Sequence, residues 1–110
     1  MNIMFDHNTP APLRKYLPGH NVDTAAEKGW NELVNSALLD CAETHSYDVL
    51  ITGDKKMPSQ QNLSARPLGF IILPTNDWKY VKHMAPSIRE ELATIRPGDV
   101  VFIEMPSHCS

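Results

Sequence analysis

Cysteine is scarce in this chain: only Cys41 and Cys109 occur in 110 residues. Their separation fits neither a metal-ligand spacing nor a disulfide framework. They read as an inert thiol within a helix and a thiol in the C-terminal tail. Long apolar runs are also lacking; none approaches the roughly 20 residues that a membrane span requires. Asp6 and His7 interrupt the only apolar start, so no secretory leader is read, no membrane association is expected, and the expected location is cytoplasmic. Positive charge is not in surplus: 10 Lys and Arg stand against 13 Asp and Glu, a net charge of −3. That balance gives no broad electrostatic hold on nucleic acid, so any RNA or DNA binding must rest on local patches. No GxGxxG, P-loop or nucleophile elbow occurs, and the five histidines share no ligand spacing.

What remains is an ordinary globular composition, 42% hydrophobic and 21% charged. At this length it makes one domain, expected over residues 1–104, with 105–110 as a tail. Residues 2–5 read as a first strand. Thr9 and Pro10 then suit the cap and first position of a helix carrying Leu13, Tyr16 and Leu17. Residues 20–24 can form a second strand. The strongest helical pattern starts near Asn31 or Glu32: Leu33, Val34, Ala37, Leu38, Cys41, Ala42 and His45 make one stripe of period 3.6. Residues 47–52 read as a strand buried on both faces, and residues 58–65 as a short helix or turn. A fourth strand covers 69–73. Asp77 can cap a helix with Trp78, Val81 and Met84, and Pro86 can open a further turn with Ile88, Leu92 and Ile95. A turn over 96–99 leads into a last strand, 100–103. Strands alternating with helices imply α/β architecture: a three-layer α/β/α sandwich with a mainly parallel central sheet.

Two aspartates occupy equivalent places in that scheme. Asp6 directly follows the first strand, and Asp54 follows the third, after Thr52 and Gly53. Ligands of parallel α/β sheets sit outside the carboxyl ends of the strands. Two carboxylates there can share a divalent cation such as Mg²⁺, whose shell is completed by water and phosphate oxygens. Equally, both can cap the turns after them, since Asp and Asn after strands are common turn residues. Asn8 can orient a water or a substrate, or simply make a turn. Thr52 brings a hydroxyl to the sheet edge, and Gly53 permits close backbone approach. Lys55 can neutralise a phosphate or, with Lys56, be a solvated pair. The amide of Gln61, within Gln60-Gln61-Asn62, can reach phosphates, sugars or base edges. Trp30 and Trp78 read as core or interface residues.

The order of these pieces resembles a PIN-like domain, and more narrowly the small Mut7-C-like type found with toxin–antitoxin systems. The resemblance rests on Ile3-Met4-Phe5-Asp6-His7-Asn8, on residues 30–39, on Tyr47 to Lys55, and on Met57-Pro58-Ser59-Gln60-Gln61-Asn62-Leu63. It implies a PIN-like fold over roughly residues 1–103 and a Mg²⁺- or Mn²⁺-dependent endoribonuclease, similar to VapC-like toxins. In such nucleases a carboxylate-bound metal activates water against a phosphodiester. Asp6 and Asp54 would then be the catalytic and metal-binding acids, with RNA as substrate and an antitoxin protein as partner. Two departures stand out: the acids expected near residue 37 and two residues past Asp54 are Ala37 and Lys56. Glu32 lies a turn or more early, and Asp40 falls off the apolar stripe. The acidic site is therefore reduced. The alternative is a non-catalytic PIN-like module that binds RNA or a protein through the same edge. Trp30, Trp78 and the strand edge at 100–103 can also supply a homodimer interface.

Overall fold

The structure is a computed structural model that describes residues 1–105 apart from Asn31, Val34 and Gln61, and the backbone but not the side chains of Asn35 and Gln60. Five short strands alternate with helices. β1 (Asn2–Phe5) is followed by a 3₁₀ helix (Ala11–Tyr16), β2 (Asn21–Thr24) and α1 (Asn35–Thr44). β3 (Val49–Thr52), α2 (Met57–Gln60) and a 3₁₀ turn (Leu63–Ala65) precede β4 (Gly69–Ile72). α3 (Trp78–Val81) runs through a tighter turn (Lys82–Met84) into α4 (Ala85–Thr94), and β5 (Val100–Phe102) closes the sheet.

The sheet is parallel throughout, in the order β2-β1-β3-β4-β5. The pleat sorts its side chains to two sides. Ile3, Phe5, Val49, Ile51 and Ile71 join Leu13, Leu17, Val81, Met84, Ile88 and Leu92 in one cluster. Met4, Leu50, Phe70 and Ile72 join Leu38, Leu39, Ala42, Met57 and Leu63 in the other. Helices thus cover both faces, α3–α4 on one and α1–α2 on the other, an α/β arrangement compatible with three layers. Burial on both faces explains why β3 and β4 read as unbroken apolar runs rather than alternating ones.

Several boundaries differ from the sequence pattern. α1 starts at Asn35, later than the stripe suggests, and Asn31 and Val34 lie outside the described residues. The Trp30 amide is drawn back to the Ala25 carbonyl at 2.9 Å, and Leu33 N donates to Trp30 O at 3.0 Å. Leu33 therefore packs on the core from a turn, not from the helix. Trp30 lies 5.0 Å from the His45 ring and Trp78 5.5 Å from Tyr16, so both tryptophans pack within the chain. Pro86 stands in the first turn of α4, as expected, where a proline has no intrahelical donor to lose. Asp77 caps α3 as expected, accepting from Lys79 N at 3.0 Å.

The C-terminus of α1 is closed by a Schellman pair. Tyr47 N donates to Ala42 O at 3.0 Å and Ser46 N to Glu43 O at 3.1 Å. Ser46 takes φ 64°, the left-handed conformation that glycine adopts without penalty. Ser46→Gly is expected to stabilise the protein by roughly 0.5–1 kcal/mol. Urea denaturation measures this; an unchanged or lowered midpoint contradicts it.

Candidate functional site

The chain order reverses direction between β1 and β3. β2 lies to one side of β1, while β3, β4 and β5 lie in turn on the other. In doubly wound sheets the crevice at such a switch point, outside the carboxyl ends, is where ligands bind. Phe5 is in register with Ile51, and Asp6 N extends the pairing with a 3.3 Å bond to Ile51 O. The residues after β1 and β3 therefore emerge side by side.

Asp6 turns its carboxylate into this junction. Oδ1 accepts from Asn8 N at 3.0 Å and lies 2.9 Å from the Thr9 hydroxyl. Oδ2 accepts from the Thr52 hydroxyl, whose oxygen in turn accepts from Asp54 N at 3.0 Å. Thr52 is wholly buried and Asp6 only 6% exposed. One hydroxyl thus joins the end of β1 to the loop after β3. Thr9 is recruited to the same junction, its oxygen 2.6 Å from Ile51 O, and so makes no cap. The segment expected to be an α-helix is instead a 3₁₀ helix behind Pro10.

Burial raises the Asp6 carboxyl above its ordinary pKa of 3.8, against the opposing pull of the Thr52 and Thr9 hydroxyls, the Asn8 amide and the charge of His7. The geometry accommodates the proton. Thr9 has one hydroxyl hydrogen and two acceptors in reach, Ile51 O and Asp6 Oδ1. A protonated Oδ1 can donate to Thr9 while Thr9 donates to Ile51 O, leaving every group paired.

Asp54 is half-buried, and its Oδ1 accepts from Lys56 N at 3.0 Å. Both aspartates therefore make the turn-capping bonds that their sequence positions allow. Asn8 is anchored through its backbone, and its side chain is exposed, as are Lys55 and Lys56. Gly53 lies where three loops converge: a Cβ there would stand 2.5 Å from Asn8 O and 3.1 Å from Asn76 Cβ. Asn76, in the loop after β4, is a site residue that residue-by-residue reading missed. Its signal was its place after the fourth strand, beside the switch point. Gln61 lies outside the described residues.

Other candidates are directed elsewhere. His7 Nε2 lies 2.9 Å from Leu33 O. Asp40 and Glu43 each meet Arg66 at 2.8 Å. Glu32 and Ala37 are exposed. Among the described residues, no group of three or more His, Cys, Asp or Glu side chains is placed to hold a metal ion. The donors that remain are Asp54 Oδ2 and one lone pair of Asp6 Oδ2. Two such donors are too few for a pair of ions. Cavities of about 450 and 480 Å³ lie away from this edge, beside Tyr47 and Arg96 and beside His83 and Phe102. Comparison of the chain with family models, curated proteins and solved structures finds no match.

The junction is open to two tests. Thr52→Val removes the bridging hydroxyl in nearly the same volume and strands Asp6 Oδ2 and Asp54 N. A loss of about 2–4 kcal/mol is expected in urea unfolding, and a near-neutral result contradicts the bridge. The raised Asp6 pKa means that the folded state binds the extra proton between 3.8 and the raised value. Stability from Asp6 is full below 3.8 and drains as pH rises through the raised value. The stability gap between wild type and Asp6→Asn is therefore expected to narrow as pH rises from about 4 to 7. Denaturation at a series of pH values measures it, and a widening gap contradicts it.

Proposed function

We propose that the protein is a PIN-like endoribonuclease with a reduced acidic site, dependent on one divalent cation. The observation that carries this reading is the convergence at the switch point: Asp6, Thr52 and Asp54 joined by one hydroxyl, with Asn8, Asn76 and Lys55 around them. Asp54 Oδ2 and the remaining lone pair of Asp6 would hold the Mg²⁺ or Mn²⁺. The bound ion supplies an activated water and offsets phosphate charge. Lys55 offers a compact positive charge to a neighbouring phosphate. The exposed amides of Asn8 and Asn76 offer donors and acceptors to the RNA backbone. Gln61 is assigned to the same RNA contact from its sequence neighbourhood alone. Such an enzyme suits a toxin of a toxin–antitoxin pair, with a small antitoxin covering this edge, in the cytoplasm.

A second reading is favoured by a specific observation. Both Asp6 oxygens already meet hydroxyl or amide donors, and no third acid joins the pair among the described residues. A non-catalytic PIN-like module that binds RNA or a protein through the same edge satisfies these facts without metal.

The full chain, incubated with mixed RNAs, separates the two. The nuclease reading expects cleavage with Mg²⁺ or Mn²⁺ that falls to the metal-free background in Asp54→Asn, with the far-ultraviolet circular dichroism unchanged. Cleavage that survives in Asp54→Asn overturns the site assignment. Saturable RNA binding without cleavage, weakened by Lys55→Ala, supports the module instead.

A further inference from the structure

The two edges of the sheet are finished differently. On β2, the outward groups of Thr24 are occupied: its amide donates to Glu27 Oε1 at 2.9 Å and its carbonyl accepts from Lys28 N at 3.3 Å. Glu27 is itself held by Arg14 at 2.8 Å. On β5, Asp99 O accepts from Phe70 N and Ile103 N donates to Ile72 O, so these residues bond inward to β4. Backbone groups alternate sides along a strand, so Val100 and Phe102 direct their amides and carbonyls outward. No other strand pairs with β5 among the described residues. Phe102 is 60% exposed, more than any other large hydrophobic residue described, and Met105 beside it is 45% exposed. An apolar edge with open backbone groups is a template for another strand.

We propose that this edge is a homodimer interface, in which β5 pairs antiparallel with β5 of a second copy about a twofold axis at Val101. The occupant is set by self-complementarity. With Val101 opposite its counterpart, Val100 faces Phe102 of the other copy, and Phe102 faces Val100. All four residues carry outward groups, so each pair exchanges two N–H···O=C bonds. The twofold keeps the faces of the sheet, so Phe102 covers Val100 of the other copy. The same register sets Glu104 opposite Gly98, in the turn that carries Arg96. Arg96 and Glu104 are exposed and make no side-chain hydrogen bond or ion pair among the described residues. They are opposite charges delivered to the same place, once from each side. A self-paired β5 makes one ten-stranded sheet, and its antiparallel halves put the two switch-point edges at opposite ends, both open.

Three residues a side make a small contact, so the dimer is weak and concentration-dependent. Sedimentation of the full chain is expected to show a mass rising with concentration from 12.4 kDa toward twice that value. Phe102→Lys is expected to raise the midpoint concentration at least tenfold. Arg96→Glu and Glu104→Arg are each expected to raise it severalfold, and the two together to restore it. All are exposed positions, and circular dichroism checks that the fold is kept. A monomer throughout, or a dimer that Phe102→Lys and the single reversals leave unchanged, overturns the proposal. A paired reversal that fails to restore association overturns this register. The outcome is independent of RNA cleavage, because none of these residues belongs to the switch-point edge.

Discussion

The Thr52 hydroxyl is the contact on which the carboxyl edge depends. It gives its hydrogen to Asp6 Oδ2 and takes one from Asp54 N, and full burial shields both bonds from solvent competition. Parallel strands need such fixings, because nothing local joins β1 to β3: 42 residues lie between Asp6 and Val49. The backbone ladder sets their register, but the ladder ends at Asp6 N and Ile51 O. Beyond it the two loops would diverge. Thr52, Thr9 and the Asp6 carboxylate carry the connection one residue further. Gly53 then lets the loops after β1, β3 and β4 close over it.

That arrangement engages one carboxylate fully in structure and leaves the other with a single capping bond. Asp6 is buried among three donors, and desolvation favours its neutral form. Asp54 is half-buried, and its carboxylate caps Lys56 N. The local charge is mixed, since Lys55 and Lys56 stand directly after Asp54. The net charge of −3 hides this small region of mixed sign.

The sheet edges obey the same logic of satisfied backbone groups. A buried strand cannot leave amides unpaired, and an exposed one must either cover them or use them. β2 covers them with a turn and the Arg14–Glu27 pair. β5 has no such cover among the described residues, and it comes after a Pro97-Gly98 turn that ends at the edge of the sheet. The difference is not one of hydrophobicity, because Val22 and Val100 are alike. It arises from the segment after β2, where the turn over residues 24–28 folds Glu27 back onto the strand.

Much of the architecture was legible in the sequence. Apolar runs ending in Asp6, Thr52 and Leu73 marked the central strands, because burial on both faces demands continuous apolar residues. Asp77 before Trp78 marked a helix start, because its carboxylate satisfies an orphan amide. The positions of Asp6 and Asp54 after strands were also plain, as was the capacity of each to cap a turn. The start of α1 was not, because Leu33 keeps the helical spacing while its amide turns to Trp30. Nor was the part played by Thr9, Thr52 and Asn76, since each acts through a partner more than 20 residues away or across another loop. Local pattern determined which segments are strands and helices. Strand order, the switch point, the burial of Asp6 and the open edge of β5 were decided only by packing, because each depends on which distant strand lies alongside.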